Sequence, residues 1–85
     1  MKVVISLEAL SKEAKERIAL ETDDQNLLAA LSKDEEVLVR VGVAKNENTN
    51  ELILQELAKD EDVIVRAEVA KNKNTSEVTL SKLAN

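Results

Sequence analysis

Residues 34–59, DEEVLVRVGVAKNENTNELILQELAK, run without a gap into residues 60–85, DEDVIVRAEVAKNKNTSEVTLSKLAN, and 15 of the 26 paired positions are identical. A unit this short cannot bury an apolar face by itself and must bury it against its neighbours, which is the logic of a stacked repeat protein. Counting back another 26 residues gives residues 8–33 after a seven-residue lead. There Leu28, Leu31 and Lys33 fall on Leu54, Leu57 and Lys59, whereas EALSKEAKERIAL departs from the pattern. Terminal repeats are commonly atypical because one face meets water. The chain therefore reads as one domain: a degenerate N-terminal cap repeat (1–33), then repeats 34–59 and 60–85, the last without an evident cap.

Composition removes whole classes of chemistry. The 85 residues include no Cys, His, Trp, Tyr, Phe or Pro. Without Cys there is no disulfide, iron–sulfur cluster or thiolate zinc site, and without His the commonest general base and transition-metal ligand is missing. No glycine-rich phosphate loop or nucleophile–base pair presents itself, so the expectation is a non-enzyme with no cofactor and no metal site. No run is long and apolar enough for a membrane span or a signal peptide, and the expected location is the cytoplasm. The net charge of −5, with basic residues spread along the repeats and no aromatic platform, argues against nucleic acid.

The second half of each unit reads as a short helix. Asn48-Thr49-Asn50-Glu51 and Asn74-Thr75-Ser76-Glu77 are helix-start signals, Asn48 with Glu51 having capping-box spacing. Leu54, Leu57 and Ala58, and then Leu80, Leu83 and Ala84, share one face. The first half is ambiguous. Val37, Val39, Val41 and Val43 alternate as in a strand, which would make β–α units like those of leucine-rich repeats. The helical alternative has Asp34 and Asp60 as N-caps, acidic residues in the first turn, Val39 and Val43 four apart, and Asn46 and Asn72 as left-handed C-caps.

The segments VRVGVAKNENT (39–49) and VRAEVAKNKNT (65–75), each followed by L-x-x-L-A, resemble the leucine-rich repeat variant family, also similar to HEAT-type repeats. The resemblance covers residues 34–85 well and 20–33 weakly. It implies an all-α solenoid of paired short helices, α or 3₁₀, in a right-handed superhelix without a sheet. The family's prolines are replaced by Glu35 and Glu61, by Glu47 and Lys73, and by Asn50 and Ser76. The iron–sulfur module of some relatives needs cysteines, so no redox role carries over.

Asp34, Arg40, Asp60 and Arg66 recur six apart and are expected to form a structural ladder between units, as in HEAT-type repeats. Asn46, Asn48, Asn72 and Asn74 read as caps and turn formers. Positions shared by both copies mark the expected core: Val37/Val63, Val39/Val65, Val43/Val69, Ala44/Ala70, Leu54/Leu80, Leu57/Leu83 and Ala58/Ala84. Divergent positions mark the expected exposed interaction surface: Val41, Gly42, Ile53, Gln55, Glu56, Ala67, Glu68, Thr79, Ser81 and Lys82. Gly42 reads as solvent-facing because its counterpart is Glu68. Ser6 reads as a helix cap, with Ile5 and Leu10 as a hydrophobic staple, and Val3-Val4-Ile5 as a cover for the first repeat or an arm for another subunit. The expected function is a protein-interaction module with an unidentified protein partner. The alternatives are self-assembly as a homo-oligomer, through the N-terminal arm or the uncapped C-terminal repeat, and weak nucleic-acid binding.

Overall fold

The structure, a computed structural model, describes residues 6–84. A 3₁₀ turn at Leu7–Ala9 leads into α1 (Lys12–Glu21), α2 (Gln25–Leu31), α3 (Val37–Lys45), α4 (Glu51–Leu57), α5 (Val63–Lys71) and α6 (Glu77–Ala84). The fold is all-helical, with no strand among the described residues, which overturns the β–α alternative. The valine alternation misleads for a physical reason. Helix α3 packs on α1 at one side and on α5 at the other, and it also touches α2 and α4. A helix enclosed on several sides carries apolar residues around most of its circumference, so its sequence loses the single-stripe signature. Val39 and Val43, one turn apart, are fully buried, whereas Leu38 between them is exposed.

The odd-numbered helices form a row, α1–α3–α5, and each even-numbered helix packs beside it. The body measures 47 × 21 × 15 Å. Leu28 and Leu31 of α2, Leu54 and Leu57 of α4, and Val39, Val43, Ala44, Val65 and Val69 of the row make one continuous core with Ala19. Each fully buried Val or Leu side chain contributes about 1.5–3 kcal/mol of hydrophobic stabilisation. Thr49 and Thr75, also buried, spend their hydroxyls on the carbonyls of Val43 and Val69, both at 2.7 Å. Each ties the turn after a helix back to that helix's last turn, a role the helix-start reading of these residues missed.

Several expectations change. Asp34 and Asp60 lie two residues before the caps: their Oδ1 atoms accept from the N–H groups of Glu36 and Asp62, and those two residues occupy the N-cap positions. Asn50, rather than Asn48 or Thr49, caps α4 by accepting from Ile53 N–H at 3.0 Å. Asn46 and Asn72 end their helices in extended backbone (ψ 121° and 126°), and no described residue has positive φ, so the left-handed cap is absent. Ser6 accepts from Glu8 N–H in the 3₁₀ turn. The arm Val3-Val4-Ile5, and with it the staple, lies outside the described residues.

Three residues expected on the surface are buried. Ile53 is 8% exposed and its counterpart Thr79 is 2% exposed. Thr79 tolerates burial because its hydroxyl donates to Glu51 Oε1 at 2.7 Å, so an apolar and a polar residue fill equivalent covered places. Gly42 faces α1, and a Cβ built there would stand 2.9 Å from Ala19 Cβ. Its counterpart Glu68 is only partly covered, lines an open groove with Lys45 and pairs with Lys71 of its own helix at 3.3 Å. Conversely, Val63, Ala70, Leu80 and Ala84 of the expected core are exposed, because no described element covers the far side of α5 and α6.

Replacing Gly42 by alanine should therefore destabilise. Alanine is the better helix former by about 1 kcal/mol, but overpacking against Ala19 costs about 1–3 kcal/mol. The expected result in urea unfolding is a lower midpoint for Gly42→Ala and a much larger loss for Gly42→Glu, even though glutamate is native at the equivalent position 68.

Candidate functional site

Two polar ladders join neighbouring helices, and they determine which surfaces remain available. In the first, Lys15 Nζ donates to Asp34 Oδ2 at 2.7 Å. One step along, Arg40 Nε donates to Asp60 Oδ2 at 2.8 Å, while its NH1 donates to the carbonyls of Asp34 and Glu35. The Arg40 and Asp60 side chains are only 13% and 9% exposed. Arg66 NH1 donates to the Asp60 carbonyl at 2.6 Å, and no carboxylate pairs with Arg66 among the described residues. Lys15 escaped the sequence reading because a step of 26 puts Ala14 opposite Arg40. A step of 25 pairs Lys15 with Arg40 and Ala19 with Ala44.

The second ladder is made of asparagine amides. Asn46 Nδ2 donates to the carbonyls of Ala19 and Thr22, both at 2.8 Å. Asn72 Nδ2 donates to those of Ala44 and Asn46, at 2.8 and 3.0 Å. In each case the Oδ1 of the same asparagine accepts from the N–H two residues on. One side chain therefore shapes the turn and donates to C-terminal carbonyls of the preceding odd-numbered helix and its cap residue, groups that have no partner within that helix. Asn48 and Asn74 extend the same link, Asn48 to the Thr22 carbonyl and Asn74 to those of Glu47 and Thr49.

A third junction joins the even-numbered helices. Gln25 accepts from Asn50 N–H and donates to the Asn48 carbonyl. Glu51, the residue 26 positions later, accepts from Ser76 N–H, Ser76 Oγ and Thr79 Oγ1 at 3.0, 2.6 and 2.7 Å. Burial pushes the Glu51 carboxyl up, but these donors together outweigh it and hold the group below its ordinary value. At Asp34, burial likewise opposes and is outweighed by hydrogen bonds from Lys15 and the Glu36 N–H and by the nearby Lys15 and Arg40 charges. The Asp34 hydrogen bond is the leading cause that raises Lys15, and the Asp60 hydrogen bond raises Arg40.

The ten candidate surface residues do not form one patch. Gln55, Thr79 and Lys82 meet in a groove of about 150 Å³ between α4 and α6, together with Ala58 and Lys59. Glu56 lines a separate groove with Ser32, Lys33 and Asp60. Ala67 lies on the far side of α5 with Val63, Arg66, Ala70 and Leu83, and Glu68 is beside Lys45 and Lys71. Val41 is half-buried against the core, and Ser81 is exposed.

The surface feature that sequence comparison overlooked is aliphatic. Leu52 and Val78, equivalent residues on α4 and α6, are 72% and 66% exposed. Leu38 and Ile64, equivalent on α3 and α5, are each half exposed or more. Both positions are apolar in both copies, the one signal that could have marked them, but leucine is exchanged for valine or isoleucine and the identity criterion passed over them. On α4, Leu52 shares an outer face with Gln55 three residues on; on α6, Val78 does so with Ser81 and Lys82. No helix among the described residues is long and apolar enough to cross a membrane. Comparison of the chain with protein-family models, with curated proteins and with solved structures found no match.

Two outcomes follow from the ladders. Arg40→Met, which leaves Asp60 covered and without its cation, should cost about 2 kcal/mol in chemical unfolding. For pH, the folded carboxyls of Glu51 and Asp34 titrate below their unfolded values of 4.5 and 3.8. Their stabilisation is complete above the unfolded values and is lost as pH falls through the folded ones. Melting temperatures should drop on acidification from about pH 5 to pH 3, and Glu51→Gln should show a shallower drop from a lower starting point.

Proposed function

We propose that the chain is a short helical-repeat solenoid, similar to leucine-rich repeat variant and HEAT-type arrays, that serves as a non-catalytic protein-interaction module. The observation that carries this reading is the pair of exposed aliphatic positions on equivalent helices, Leu52 with Val78 and Leu38 with Ile64. An apolar side chain kept at a repeated place and left in water does nothing for the fold, whereas a repeated apolar contact is what a protein partner lying along a stacked array would use. We assign the contact face to the outer side of α4 and α6, where Leu52 and Val78 stand beside Gln55, Ser81 and Lys82. The Glu51 junction supports the reading because its bonds to Ser76 and Thr79 hold the two helices in a fixed relation, so the face is presented without a large ordering cost on binding.

The test is affinity capture from an extract of the source organism, with and without nuclease, at about 150 mM salt, where long-range charge attraction is largely screened. The expected result is a nuclease-resistant protein partner that disappears with Leu52→Lys plus Val78→Lys, while circular dichroism and melting temperature stay unchanged because both side chains are exposed. Recovery of nucleic acid, or a partner indifferent to the double substitution, would overturn this assignment.

A further inference from the structure

The outer side of α5 and α6 repeats, group for group, a surface that the inner part of the molecule already covers. At the junction of α3 and α5, the covered side offers Arg40 and the carbonyls of Ala44 and Asn46; the covering side supplies Asp60 and the Asn72 amide. Twenty-six residues later stand Arg66 and the carbonyls of Ala70 and Asn72. Arg66 is oriented by the Asp60 carbonyl in the way Arg40 is oriented by the Asp34 carbonyl. Among the described residues no carboxylate reaches Arg66, and no side-chain amide reaches the two carbonyls. Glu77, at the place of Glu51, likewise accepts from no described donor. Between these groups lie Val63, Ala67 and Leu83 around an open groove of about 280 Å³.

From this we infer that the outer face of α5 and α6 is a docking surface for a helical partner built like the chain's own repeats. The partner's helix is preceded by an aspartate that pairs with Arg66 and followed by an asparagine whose amide reaches the carbonyls of Ala70 and Asn72. The inference rests on reading the chain as a stacked-repeat interaction module and adds the chemistry of a second partner face. The other end of the same chain does not meet this specification. A step of 25 from Asp34 falls on Ala9 and from Asn46 on Glu21, and the residue that caps α1 as Asn46 caps α3 is Thr22; none of these brings an aspartate or an amide. A second copy stacking head-to-tail in the register of the internal junction would bring neither that aspartate nor that amide to Arg66 and the carbonyls, so the occupant is a repeat of the internal kind.

The test joins one further copy of the Asp60–Asn85 sequence to the full chain through a flexible glycine–serine linker of about 20 residues, giving a millimolar effective concentration. The expected result is at least tenfold slower amide exchange in α5, a shifted Arg66 Nε–Hε resonance and a higher melting temperature. All three should be lost on Arg66→Met, or when the aspartate that opens the tethered copy is changed to asparagine. In the unextended chain Arg66→Met should lower the melting temperature less than Arg40→Met does, because it loses only the bond to the Asp60 carbonyl and leaves no carboxylate without its cation. Unchanged α5 exchange with the copy tethered would overturn the inference. So would a dimer of the unextended chain that Arg66→Met dissociates, since the occupant would then be a second molecule in another arrangement. Capture of a partner through Leu52 and Val78 is independent of either result, so failure here leaves the function of the α4–α6 face standing.

Discussion

The asparagine at the end of α3 and α5 is the interaction on which the arrangement depends. A helix of nine or ten residues leaves its last carbonyls without partners inside the helix, and at the ends of α1 and α3 those carbonyls lie against the next helix of the row. Asn46 and Asn72 meet that need with one amide each, while the opposite end of the same side chain forms the turn that starts the following helix. Spacing between helices and direction of the chain are thereby coupled through a single residue. Aspartate could form the turn but has no N–H for the carbonyls, and glycine could do neither.

The cation–aspartate ladder works on the opposite end of the same helices and tolerates variation. Arg40 makes a forked contact with Asp60 and also binds two backbone carbonyls, whereas Lys15 delivers a single contact to Asp34. The guanidinium's planar fork allows this sharing and the ammonium does not. At the first junction the deficit is met by close packing, where Gly42 lets α3 approach Ala19 of α1. The first and second junctions are thus held by different balances of charge and contact.

Divergence between the two copies proved a poor guide to exposure, and the residues show why. Ile53 and Thr79 occupy equivalent buried places, the hydroxyl being acceptable because it donates a hydrogen bond to Glu51. Gly42 lies against Ala19 of α1, whereas Glu68 is only partly covered and pairs with Lys71. Identity misled in the other direction at Val63 and Leu80, which match half-buried Val37 and buried Leu54 but have no described neighbour beyond them. The same logic hid Lys15, whose correspondence to Arg40 depends on a one-residue shift that gap-free alignment cannot register.

The sequence by itself determined the 26-residue period, the helical second half of each unit, the recurrence of arginine, aspartate and asparagine, and the absence of cysteine and histidine chemistry. Those are properties of local pattern and composition. Only the tertiary structure decided that the valine-rich halves are α-helices and that Asn46 and Asn72 reach across to the preceding helix. It also decided that Gly42, Ile53 and Thr79 are covered while Leu52 and Val78 are not. Each of those outcomes depends on which helix lies alongside, and a residue's neighbours across a packing interface are not encoded in its own stretch of chain.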